Sequence, residues 1–139
     1  MDILVLIGRV LFASLFLGSA VGHLTQTKAM AGYAASKKVP FATATVFGSG
    51  LLLALGGLMV LLGVWADLGA LLLVAFLVPT AVLMHNFWTV SDPQARQMEL
   101  IQFNKDIALA GGALLAFALF AYAGDDLGLM ITGPLFHLR

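Results

Sequence analysis

The chain has 139 residues, 61% of them hydrophobic and only 10% charged, with zero formal net charge and no cysteine. Zero net charge leaves no bulk field to recruit nucleic acid, and the missing thiols exclude disulfides, thiol redox chemistry carried by this chain, and cysteine-ligated zinc or iron–sulfur centres. Ordinary soluble domains are about 45–50% apolar and about 25% charged, so the solvent this composition suits is lipid.

The first apolar run, from about Ile3 to Gly22, is interrupted only by Arg9. No basic segment precedes it and no small-residue cleavage site follows it, so it reads as a retained helix and not a signal peptide. Between Lys38 and Asp92 the only charge is Asp67, which splits the stretch into two blocks. Each block approaches the ~20 residues that a helix needs to cross a bilayer. The second span is expected from about Phe41 to Leu62, with Pro40 in its first turn, where a missing N–H costs nothing. The third is expected from about Leu68 to Trp88, kinked at Pro79.

Asp92-Pro93 reads as an N-cap and first-turn proline. From Gln94 onward neither proline nor glycine occurs before Gly111, so one helix can begin at the interface and continue into a fourth span at about Ile107 to Ala123. A shorter interfacial helix is expected around Ala29–Ser36, with Tyr33 at headgroup depth. The apolar stretch Leu127–Phe136 is too short to cross and is expected along the interface.

These elements predict an all-α fold: a single four-transmembrane-helix domain over residues 1–139, with up-down topology and interfacial helical segments between helices 1 and 2 and helices 3 and 4. Both termini then share one side. The connections 23–40 and 89–106 carry Lys28, Lys37, Lys38, Arg96 and Lys105, which places them in the cytoplasm and the termini outside a cell membrane. Gly18 and Gly22 form a small-xxx-small pair, and Gly48, Gly50, Gly56, Gly57, Gly111 and Gly112 recur within spans. Such glycines permit close backbone approach in lipid. They imply tight packing within the bundle or, as the alternative, a subunit interface.

Up-down topology also gathers polar residues at one end. His23 ends the first span, His85 and Asn86 lie at the end of the third, and Asn104, Lys105 and Asp106 open the fourth, with Tyr33 and Trp88 at similar depth. Ionisable groups at the rim of a bundle usually pair or face a wet cavity. Aromatic residues and lysine also serve simply as interfacial anchors, and that reading stands beside a ligand pocket. The ligand such a pocket would suit is a quinone-like amphipathic ring, its carbonyls facing histidine or lysine donors and its body against aromatic and aliphatic walls. Three metal ligands would have to come from three helices with no local spacing such as HxxxH, so no metal site is expected. Arg9 is expected to snorkel outward or to pair with Asp67 or the Asp125-Asp126 doublet. His137 is assigned no role.

The chain resembles the DoxX family of small bacterial four-helix membrane proteins. The residues that carry the likeness are Gly22-His23-Leu24, Tyr33 through Val39-Pro40, the glycine-rich Gly48–Gly63 stretch, His85-Asn86-Phe87-Trp88, and Phe103-Asn104-Lys105-Asp106 leading to Gly111-Gly112. Asp106 stands where the family commonly has asparagine. The resemblance implies association with membrane oxidoreductases and with quinone or oxidative-stress systems in a bacterial inner membrane. Without cysteine, haem-ligand pattern or dinucleotide motif, any redox role would need a bound quinone or a partner subunit. The expectation is an accessory subunit of an oxidoreductase complex, more than an autonomous enzyme. Its partners would be the lipid bilayer, such a complex or a second copy of the chain, and no nucleic acid. The alternative is a non-catalytic scaffold, chaperone or assembly subunit whose working surface is its glycine-lined helix faces.

Overall fold

The computed structural model describes residues 1–138, and these form helices with no strand among them. α1 spans Asp2–Thr25, α2 Thr27–Ser36, α3 Ala42–Leu62, α4 Ala66–Met84 and α5 Pro93–Ala123. Four of the five, all but α2, are long and apolar enough to cross a membrane. They pack in chain order, α1 on α3, α3 on α4 and α4 on α5, while α2 lies against α3.

The core is built from small side chains and a few large ones. Ala13, Ala20, Ala70, Ala110 and Ala113 surround Phe16, Leu53, Val60, Leu73 and Leu77. Large apolar residues point outward as well: Leu11 is 68% exposed and Leu115 75%. Water would not tolerate so much exposed hydrocarbon on a monomer, whereas lipid does. Close approach is concentrated at the glycines of two helix pairs. A Cβ at Gly57 would stand 3.0 Å from Leu17, and one at Gly69 would stand 2.7 Å from the Met59 Cβ. Gly18, Gly22 and Gly111 have nothing within 4 Å of the same position, so the small-xxx-small pair takes no part in packing within the bundle.

Several element ends depart from the sequence-based expectation. Pro40 precedes α3 and is not in its first turn; the cap is Phe41, in a left-handed conformation at φ 49°, and the Pro40 carbonyl accepts from Thr45 Oγ1 at 2.9 Å. α4 stops at Met84, four residues before the expected Trp88, because Phe87–Thr89 winds into a 3-10 turn. Edge-to-face contacts of Phe87, Trp88 and Phe103 hold that turn against α5. Asp92 caps α5 as expected, its Oδ2 accepting from the Ala95 N–H at 2.8 Å, with Pro93 as the first helical residue.

At the opposite end the tail does not simply lie along the interface but straps the bundle. The Ile131 and Thr132 N–H groups donate to the Gly63 carbonyl at 3.0 Å, and the Leu138 N–H donates to Ala121 at 3.2 Å. Beneath the strap Arg9 is 4% exposed. It neither snorkels nor relies on a carboxylate: it donates to the carbonyls of Val60 (2.8 Å), Leu61 (2.6 Å) and Leu129 (2.7 Å). Val60 and Leu61 are in the last turn of α3, where carbonyls lack helical donors and carry the negative end of the dipole. Asp67, fully buried in the first turn of α4, accepts instead from the Phe136 N–H at 2.6 Å.

Candidate functional site

A cavity of about 740 Å³ opens between α2, α3 and α4, at the end of the bundle where α1 stops. Its walls are mostly apolar, with Met30, Leu52, Phe76, Leu83 and Met84 among the lining residues. Gly48 widens it by having no side chain, and Pro79 lies within the continuous α4 wall. Polar groups are few: His23 from α1, Tyr33 from α2, Thr45 and Ser49 from α3, Thr80 from α4, and His85 just beyond α4. This is the composition of a small-molecule pocket, in which a hydrocarbon body is held by walls and oriented by a handful of polar atoms.

His23 is positioned by the α1–α2 corner, where Thr27 Oγ1 donates to the His23 carbonyl at 2.6 Å. Its Nδ1 lies 2.7 Å from Ser49 Oγ and 3.4 Å from the Val46 carbonyl, and its ring meets Phe76 edge-on at 5.7 Å.

His85 belongs both to the cavity wall and to an ionic cluster behind it. The hub of that cluster is Glu99, which the sequence reading passed over. Its Oε2 accepts from His85 Nδ1 at 2.8 Å, and its Oε1 accepts from Lys37 Nζ at 3.2 Å and Tyr33 OH at 3.1 Å. Lys37 also donates to Asn86 Oδ1 at 3.3 Å. Asp106, 5% exposed, approaches His85 Nε2 at 3.7 Å and Lys105 Nζ at 3.5 Å. Lys105 in turn donates to Gln102 at 2.6 Å. Burial, with the Glu99 carboxylate adding to it, pushes the Tyr33 phenol above its ordinary value.

The eight residues singled out from sequence therefore divide. His23, Tyr33 and His85 reach the cavity, and Asn86, Lys105 and Asp106 join the cluster. Trp88 stacks with Phe87 and Phe103, and Asn104 is exposed. Glu99 was findable by helical phase. It precedes Asp106 by seven residues, two turns on the same face of α5, so any partner of one carboxylate is within reach of the other.

Glu99 ties α5 to α2, to the segment after it and to the end of α4, so its charge has a measurable structural role. Glu99→Gln is expected to lower stability by about 1–2 kcal/mol, because the amide turns a donor toward His85 and surrenders the ion pair with Lys37. Thermal unfolding in detergent measures this, and an unchanged midpoint would show the cluster to be energetically idle.

The DoxX family model matches residues 4–86, which is more than half of the chain. No curated protein and no solved structure matches it. The matched segment takes in α1 through α4 with His23, Tyr33, His85 and Asn86, and ends before α5, so Glu99, Lys105 and Asp106 stand on geometry alone. Four apolar crossings and the matched helices lead to one assignment: the chain is a multi-pass membrane protein and belongs to the DoxX family.

Proposed function

We propose that this protein binds a quinone-like amphipathic ring in the cavity between α2, α3 and α4, and serves as the ligand-binding membrane subunit of an oxidoreductase or quinone-stress system. The observation that carries the reading is the cavity itself: about 740 Å³ of mostly apolar space with two histidines among its few polar groups. That volume falls within the ~300–1,000 Å³ of pockets that hold drug-sized ligands. With the pocket at the end of the bundle, an isoprenoid or alkyl tail would remain in lipid while the ring enters. The chain offers no electron carrier of its own, so redox turnover belongs to the ligand and a partner subunit.

The same end carries Lys28, Lys37, Lys38, Arg96 and Lys105, which argues for a cytoplasmic cavity mouth and for termini outside. The test is a titration of purified protein in detergent with a short-chain ubiquinone and its quinol. Saturable binding of at least one form, weakened about ten-fold or more in both His23→Ala and His85→Ala, is the expected result. Binding that neither substitution alters would place the ligand elsewhere.

A scaffold role is the second reading, and one observation favours it. Gly18, Gly22 and Gly111 are small residues with nothing packed against them, on faces that a second membrane helix can approach closely. A cross-linking experiment in native membranes that recovers no reproducible partner for α1 or α5 would weigh against this reading.

A further inference from the structure

We infer that the cavity selects its ligand by accepting a hydrogen bond, so that it holds the hydroxyl-bearing form of the ring, a hydroquinone or other phenol, in preference to the carbonyl form. This rests on the reading of the cavity as a ring-binding pocket and adds which oxidation state that pocket fits.

The argument is a census of hydrogens. Each hydroxyl lining the cavity owns one, and each has given it to a protein oxygen. Ser49 Oγ donates to the Val46 carbonyl at 2.8 Å, Thr80 Oγ1 to Phe76 at 2.7 Å, Thr45 Oγ1 to Pro40 at 2.9 Å, and Tyr33 OH to Glu99 at 3.1 Å. What remains on these oxygens is lone pairs. Pro79 adds to the imbalance, since it has no N–H to give the Ala75 carbonyl on the same wall.

The two histidines follow the same rule. Ser49, its hydrogen already spent, meets His23 Nδ1 as an acceptor, and the Val46 carbonyl at 3.4 Å from the same nitrogen is an acceptor only. With the proton on Nδ1 both contacts are hydrogen bonds, Nδ1–H to Ser49 Oγ and the Ser49 hydroxyl to Val46. With Nδ1 bare, Ser49 would have to surrender the Val46 bond to donate to it, and the Val46 carbonyl would face the ring lone pair to lone pair. The fully bonded arrangement therefore carries the proton on Nδ1. In the neutral ring Nε2 is then an acceptor, and it makes no hydrogen bond to a described residue. His85 gives its Nδ1 hydrogen to the Glu99 carboxylate at 2.8 Å, and its Nε2 is turned toward Asp106 at 3.7 Å.

A carbonyl ligand entering this space finds no free donor on the lining hydroxyls or His23, and both His85 nitrogens are turned to carboxylates. A hydroxyl ligand finds several acceptors, with His23 Nε2 the strongest. An unpaired polar group in an apolar pocket is heavily penalised, which is why donor–acceptor matching discriminates more sharply than shape.

The experiment uses the full chain in nanodiscs under anaerobic conditions, titrated separately with decylubiquinol, decylubiquinone and the dimethyl ether of the quinol, which keeps the ring but has no O–H. The quinol is expected to bind about ten-fold more tightly than either competitor. His23→Phe should bring its affinity down to that of the quinone while leaving the quinone's nearly unchanged. Ser49→Ala, a milder change that frees the imidazole to exchange tautomers, should narrow the ratio. Quinone or ether binding as tight as quinol overturns the inference and leaves the pocket in place. Saturable binding of none of the three overturns both.

Discussion

Arg9→Leu is expected to destabilise the protein by about 3 kcal/mol, even though the substitution makes the first helix more hydrophobic. Taking a guanidinium out of an apolar setting is favourable in itself, and a buried ion replaced by a well-packed apolar residue is often tolerated. Here the partners decide the sign. Arg9 serves three carbonyls at 2.6–2.8 Å, two in the final turn of α3 and one, Leu129, in the tail. Leucine strands all three in a place where water has little access, at about 1–3 kcal/mol for each unsatisfied group. Thermal unfolding in detergent gives the stability change, and limited proteolysis gives its location: cleavage within residues 127–138 should rise together with the loss. A shift below about 1 kcal/mol would mean that the carbonyls find other donors.

The second large effect is steric. Gly69 lies where α4 crosses α3, and a Cβ there would stand 2.7 Å from the Met59 Cβ, 3.0 Å from the Gly56 carbonyl oxygen and 3.2 Å from the Val60 nitrogen. Two of those neighbours are backbone and cannot rotate away. Gly69→Val should therefore force the helices apart at a cost of about 3 kcal/mol or more, at the upper end of overpacking penalties. Gly111→Ala makes the control, since nothing lies within 4 Å of its added methyl. The pair should separate cleanly in a thermal melt, and similar losses in both would show that the contact at Gly69 is not what matters.

How the chain meets lipid was readable from its letters, because charge is excluded from long runs wherever hydrocarbon must surround a helix. The interfacial helix and the Asp92 cap were readable too, being governed by residues adjacent in sequence. Rotation was not. A helix that is apolar on every side gives no periodic signal of which face turns inward, so the outward position of Gly18 and Gly22 and the crossing at Gly69 had to come from the structure. The polar cluster shows both limits. Proximity of His85 to Asp106 followed from topology, whereas Glu99 as hub depended on α4 ending at Met84 so that His85 could turn toward α5. Arg9 was expected to snorkel outward or to find a carboxylate, because charge suggests water or an opposite charge. At a helix C-terminus, carbonyls without donors compete for the same guanidinium, and here they win.

The bond between Arg9 and Leu129 spans 120 residues. Val60 and Leu61 lie only 51 and 52 residues after Arg9, so α3 supplies two of the acceptors and the distant tail supplies the third. Without the tail one of the three Arg9 bonds is missing, and the end of α3 alone holds the guanidinium. Docking of the tail is thus the step that completes the arginine's set of acceptors and closes this end of the bundle.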